Sequence, residues 1–305
     1  MKYCLNINAN IPLSEVVKKA KEAERLGFEC LWICDGVTQR FGPVAASAVA
    51  FHTGSVTVGL GLTPFIHSPR QIAAALLTLI RRYGERFELS LIPGDKKLLS
   101  QVGVQLAGVK AVPQRILEAK AEVEKILREK KVHCSIWVGA QGPKMLKAAA
   151  LFDGVQLNFA SPRMIRWGLE QLREAGMRKE FKVGVFAPAY VFEDFEEKLY
   201  KRMEKAASLV ALGASKALME RFGFYERMRL LQAQNQGPEA LNVPSDILEE
   251  FSISMPSQRL GDYIAQLAML GVKYVVFAHP QDYSLKTIRE LAEAIQKLTG
   301  SRQVK

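Results

Sequence analysis

Residues 23–35 read Ala23-Glu24-Arg25-Leu26-Gly27-Phe28-Glu29-Cys30-Leu31-Trp32-Ile33-Cys34-Asp35. This one stretch holds a helix end, a stop and a buried strand. Just upstream, Val16, Val17, Ala20, Ala23 and Leu26 recur at helical spacing. Pro12 and Ser14 open that helix, with Ser14 in a capping position, and Gly27 closes it. Residues 28–34 form a nearly continuous apolar run, the pattern of a strand covered on both faces. Asp35 stands just past its end.

The alternation extends in both directions. Residues 2–8 read as a strand ahead of this unit. Further strands are predicted over 55–62, 86–92, 133–139, 154–159, 181–191 and 272–278. Helices are predicted over 43–52, 68–83, 112–130, 141–151, 161–176 and 284–298. Eight strand-then-helix units in succession imply right-handed crossovers, a parallel sheet and closure into a (β/α)8 TIM barrel. An open doubly wound sheet would want a glycine-rich turn after its first strand, and Asn8-Ala9-Asn10 offers none. A long helical stretch over 193–250 precedes the last unit. Composition does not shift there, so 1–305 reads as one barrel domain with that stretch inserted.

The 305 residues are 49% hydrophobic and 24% charged, ordinary globular material. No apolar run reaches the ~18 residues of a spanning helix, and residues 1–6 have no apolar signal region. The expected compartment is the cytoplasm, with no membrane partner. Forty-two basic against 31 acidic residues give +11, which suits anionic ligands. The basic residues are dispersed, and neither the aromatics nor the helices form a nucleic-acid-binding pattern. Cys4, Cys30, Cys34 and Cys134 lie inside apolar runs without a C-x-x-C, so buried, reduced thiols and no metal site are expected.

Function in a barrel of this kind sits where the strands end. Gly139-Ala140-Gln141-Gly142-Pro143-Lys144 stands at a strand-to-helix turn, where glycines allow close backbone approach and a helix start offers free N–H groups for an anion such as phosphate. Pro93-Gly94-Asp95-Lys96 and Gly61-Leu62-Thr63-Pro64 are further glycine-containing rim segments, each equally readable as a plain turn. Asp35 either caps a turn or accepts a hydrogen bond from a ligand. His67 and His279 each precede a rim proline, and either could line the mouth; His133 reads as a strand residue with a structural partner. Zinc, EF-hand and Walker signatures are absent.

These segments resemble the bacterial luciferase-like superfamily, and within it the F420-dependent methylenetetrahydromethanopterin reductases. Residues 23–35 match A-E-x-x-G-F-x-x-x-W-I-x-D, shared across the superfamily. Residues 58–64 match its third-strand segment, Pro93-Gly94-Asp95-Lys96 a reductase P-G-D-K, and 136–147 the reductase run around Gly-Ala-Gln-Gly-Pro-Lys. The resemblance implies a barrel with the deazaflavin F420 at the strand ends, alternatively FMN. It assigns Gly139, Ala140, Gln141 and Gly142 to the cofactor phosphate, where Lys144 would add charge, and Gly94 and Asp95 to its ribityl chain or ring. Gly61, Leu62 and Thr63 would press one ring face, with a cis peptide at Gly61–Leu62. Asp35, with Asn6 and His67, would polarise the reacting centre for hydride transfer to a tetrahydromethanopterin derivative or another small substrate. A homodimer through helices on the barrel's side is implied, with the alanine-rich residues 44–50 permitting close contact. The chain departs from the family at two points. Gly36 replaces a His and Asn6 replaces a Glu, which leaves open a relative that binds cofactor without turnover.

Overall fold

The computed structural model describes residues 1–35, 41–94, 99–100, 103–104, 108–233 and 242–300, without the side chains of 108–111, 232, 299 and 300. The Gly27 stop works as its chemistry requires. Helix α1 (Leu13–Arg25) ends with Gly27 at φ +90°, and the Phe28 N–H folds back to the Ala23 carbonyl. Its start differs from expectation. Pro12, not Ser14, is the N-cap, and Ser14 lies inside the first turn. Pro12 has no N–H to satisfy and a fixed φ, so it precedes a helix at little cost.

Strands β1 (Lys2–Asn6), β2 (Cys30–Cys34), β3 (Thr57–Leu62), β4 (Phe87–Leu91), β5 (Ser135–Ala140), β6 (Gly154–Leu157) and β7 (Lys182–Phe192) pair in sequence, all parallel. A short strand β8 (Ile253–Pro256) pairs only with the upper end of β7. Strand β9 (Tyr274–Ala278) pairs with both β7 and β1 and closes an eight-stranded barrel. Helices α2 (Gly42–His52), α3 (Pro69–Tyr83), α4 (Gly108–Glu129), α5 (Pro143–Ala149) and α6 (Pro162–Glu174) follow β2 to β6. The stretch 193–250 resolves into α7 (Glu197–Leu212), α8 (Lys216–Arg221), α9 (Tyr225–Ala233) and α10 (Ser245–Phe251). Helix α11 (Leu260–Met269), like β8, had no counterpart in the sequence reading, and α12 (Leu285–Gly300) ends the described chain.

The ladder register places the site. Advancing one residue at each strand crossing leads from Asn6 round the barrel and back to Asn6. Inward residues therefore fall into layers of four from alternate strands. Cys30, Glu88, Gly154 and Tyr274 lie low. Cys4, Gly59, Trp137 and Gly184 come next, then Trp32, Ser90, Gln156 and Val276. Asn6, Gly61, Gly139 and Phe186 form the layer at the mouth.

Glycines below make room for indoles: the Trp32 ring lies over Gly59, and a Cβ on Gly154 would stand 2.7 Å from the Trp137 ring. Trp137 meets Trp32 and Tyr274 edge-on, at centroid distances of 6.2 and 4.9 Å. Lys182 closes the bottom, 3.6 Å from Glu88 and 5.6 Å from the centre of the Trp137 ring. Burial pushes the Glu88 carboxyl up while Lys182 draws it down, and the balance is upward.

The expectation of four reduced thiols is corrected. Cys4 and Cys30 are a direct ladder pair on adjacent parallel strands, both facing inward with Cα atoms 4.7 Å apart, and they form a disulfide. Cys34 and Cys134 are free. His133 is exposed and lies outside β5, not within a strand as expected.

Candidate functional site

The mouth is built from the strand ends. Asp35 leaves β2 with its N–H on the Gly61 carbonyl at 2.8 Å. Its carboxylate is buried, and Oδ2 lies 2.8 Å from His67 Nε2. His67 is delivered by the turn after β3, where its N–H bonds the Thr63 carbonyl. Ser68 then caps α3 in a capping box with Gln71, which fixes where His67 leaves the turn. Phe41 packs on the imidazole at 5.4 Å, and Gly42 abuts Asp35, where a Cβ would approach to 3.1 Å. The structure thus joins two of the three residues singled out for chemistry into one pair. The third, Asn6, is nearly buried and donates Nδ2 to the Trp32 carbonyl at 2.9 Å.

Gly61 and Gly139 face inward. A Cβ at Gly61 would meet Cys34 Sγ at 2.7 Å, and one at Gly139 would meet Ile92 at 3.3 Å and Asn158 at 3.4 Å. The Gly61–Leu62 peptide is trans, against expectation; the cis bond among the described residues is His279–Pro280. Gly61 and Leu62 keep regular ladder partners in Ser90 and Leu91, which holds the bond extended. Leu62 and Ala140 point away from the mouth into the core beneath the helices, so only their backbone could meet a ligand. Thr63 is buried, with Oγ1 donating to the Pro93 carbonyl at 3.5 Å. Gly94 has φ +78°, and a Cβ there would press on Leu99 at 3.1 Å. Asp95 and Gly36 lie outside the described residues.

At the end of β5, Gly142 is the N-cap of α5 and no side chain caps that helix start. The Gln141 amide donates to the carbonyls of Asn158 (3.3 Å) and Val210 (3.2 Å), tying the turn to α7. A Cβ on Gly142 would meet Ser215 Oγ at 2.7 Å, so the insertion packs directly against this turn. Lys144 is exposed. The free thiol of Cys34 is pushed up to about 12 by burial and by the adjacent Asp35 carboxylate, which leaves it unreactive as a nucleophile.

His279, a rim residue in the sequence, has a partner that its position alone does not reveal. Its Nδ1 lies 2.9 Å from Asp282 Oδ1. The signal was present as a His and an Asp three residues apart in the turn after the last strand.

The described elements form a closed parallel (β/α)8 barrel with glycines and an Asp–His pair at its rim. The comparisons agree: residues 5–135 match the family model described as luciferase-like monooxygenase. The 5,10-methylenetetrahydromethanopterin reductase of Archaeoglobus fulgidus is 27% identical, over 92% of this chain and 94% of its own. That of Methanopyrus kandleri is 24% identical, over 88% and 89%. Among solved structures, the coenzyme F420-dependent tetrahydromethanopterin reductase of Methanopyrus kandleri superposes with a TM-score of 0.82 at 22% identity, covering 97% of this chain and 99% of that one. An F420-dependent secondary alcohol dehydrogenase gives 0.73 at 15% identity, covering 97% and 98%. The chain is a (β/α)8 barrel similar over most of its length to these reductases and, over residues 5–135, to the luciferase-like family.

Proposed function

We propose that the chain is an F420-dependent oxidoreductase of the cytoplasm, one barrel domain carrying 193–250 as an insertion. It moves a hydride between reduced F420 and a pterin-bound or other small substrate. The observation that carries this reading is the similarity to the Archaeoglobus reductase over 92% of the chain. Gly61 and Gly139 keep the upper barrel thin, with Cys34, Ile92 and Asn158 packed over them, and the flat ring would lie above these residues. When bound, the deazaflavin supplies the hydride chemistry.

The chain's own residues supply the rest. The N–H groups at the start of α5, with Lys144 nearby, hold the phosphate end. Gly61 and Thr63 let backbone meet the ring, and Gly94 lines the chain between. The Asp35–His67 pair orients one imidazole at the rim and polarises the reacting centre. Asn6 contributes a neutral amide, already held by Trp32, and neither accepts nor releases a proton.

The family match at residues 5–135 favours FMN as the second reading, and the fixed Asn6 amide favours a relative that binds without turnover. Helix α2 carries no Asp, Glu, Lys or Arg and exposes Val44 and Phe51, so the protein pairs with itself through this side. The test is oxidation of reduced F420 on adding methylenetetrahydromethanopterin, followed by absorbance. Oxidation that needs the substrate supports the reading. Tight F420 binding with no oxidation, across this and small carbonyl substrates, supports the non-catalytic alternative.

A further inference from the structure

The turn after β9 carries a buried carboxylate that holds a rim histidine as well as the chain around it. Asp282 is fully buried. Its Oδ2 accepts the Asn8 backbone N–H at 2.8 Å and lies 3.7 Å from Lys19 Nζ on α1, and its Oδ1 lies 2.9 Å from His279 Nδ1. Neighbouring residues hold the turn in place. Gln281, also fully buried, bonds both backbone groups of Val191 and the Thr287 carbonyl. Ser284 and Thr287 bond each other's backbone N–H groups at the start of α12. Lys19 already balances the Asp282 charge, so His279 is not needed to neutralise it.

With Asp282 ionised, His279 Nδ1 must be the donor, and Nε2 is left to face outward. Among the described residues nothing bonds that Nε2, and the side chain is 31% exposed. The strand order β9–β1–β2 puts His279 and the Asp35–His67 pair at strand ends on opposite sides of Asn6. A histidine oriented by a buried carboxylate, with its other nitrogen unbonded at the rim, is an arrangement suited to moving protons.

We propose that His279 is the acid–base group of the mouth that contacts bound ligand, and that Asp282 is its positioning residue. The proposal rests on the F420 reading above. It also narrows the substrate to a neutral carbonyl or imine. Hydride from the reduced deazaflavin forms the new C–H bond, and the π pair of the C=O or C=N moves to the heteroatom. That heteroatom takes the proton from the imidazolium Nε2, leaving neutral imidazole still donating Nδ1–H to Asp282. Solvent returns the proton through the exposed edge. The charged groups facing His279 are Asp282 from its own turn and, through Asp282, Lys19 from α1; Asn8 adds an uncharged N–H.

The test uses the full chain with ¹⁵N-labelled histidine, titrated with F420, and F420 affinity measured across a pH series. The proposal expects F420 to bind, the His279 Nε2 resonance to move, and affinity to change with imidazole protonation. His279→Asn keeps a donor toward Asp282 and removes Nε2. It should melt like the parent, lose that pH dependence, and reduce acetone with reduced F420 about 10²–10⁴-fold more slowly at similar KM. Asp282→Asn should change the His279 tautomer seen in the spectrum. F420 binding with the Nε2 resonance unmoved and the pH dependence intact in His279→Asn overturns this proposal and leaves the F420 reading standing. Failure of F420 to bind at all overturns both.

Discussion

Asp35 and His67 stand 32 positions apart in the chain and 2.8 Å apart in space. Each is legible alone as a rim residue, but their pairing is not. It depends on how far the turn after β3 projects, and the Ser68–Gln71 capping box sets that. Removing the imidazole by His67→Ala leaves a buried carboxylate without this partner. A loss of about 1–3 kcal/mol in urea unfolding is expected. Turnover of reduced F420 should fall with it, and unchanged stability would show that the pair is loose in solution.

Glu24 gives a pH-dependent counterpart. Burial would raise its carboxyl, but the backbone N–H groups of Val56, Ser55 and Gly54 outweigh that and hold it below the ordinary 4.5. A lowered carboxyl contributes stability above its unfolded pKa and loses it as pH falls through the folded one. Glu24→Gln should therefore be less stable than the parent at neutral pH by roughly 1 kcal/mol, given its partial exposure. The gap should close as pH drops below about 4.5 in acid-unfolding curves. A gap that persists unchanged at low pH would contradict the assignment.

Strand–helix alternation was readable because buried parallel strands leave continuous apolar runs, as at 28–34, and glycine stops such as Gly27 leave a clear mark. Element edges were less readable. Ser14 looked like a cap, yet Pro12 takes that place because helix starts tolerate it. Strand β8 and α11 were missed: four residues pairing only with the overhang of β7 give too little periodicity to detect. The Cys4–Cys30 bond was also hidden, since only the register of β1 on β2 shows that both face inward. Glycines within strands are the informative exception. Gly154 lies where a Cβ would meet both the Lys182 carbonyl and the Trp137 ring at 2.7 Å. Gly154→Ala should cost about 1–3 kcal/mol by overpacking, measured by denaturant unfolding, with F420 binding at the far end of the barrel retained if the protein folds. A neutral substitution would mean that the indole plug shifts freely.

Closure of the barrel follows from eight units and a consistent register, and this was the most legible property of the chain. How the insertion sits was not, because α7 and α8 reach the mouth through single contacts, Gln141 to Val210 and Gly142 to Ser215. Helix α2 carries no Asp, Glu, Lys or Arg and exposes Val44 and Phe51 on the outer surface. Phe51→Glu should convert a dimer to monomer in analytical ultracentrifugation while the circular dichroism stays the same. A parent protein that is monomeric at all concentrations would remove α2 as an interface. At the scale of the whole molecule, the mouth is proposed to hold a deazaflavin. Its most direct test is a titration of the purified chain with F420 and, separately, FMN, each followed by fluorescence. Saturable F420 binding on the order of micromolar, about 8 kcal/mol, with FMN at least roughly tenfold weaker, is the predicted result. Micromolar FMN binding with no F420 binding would contradict it.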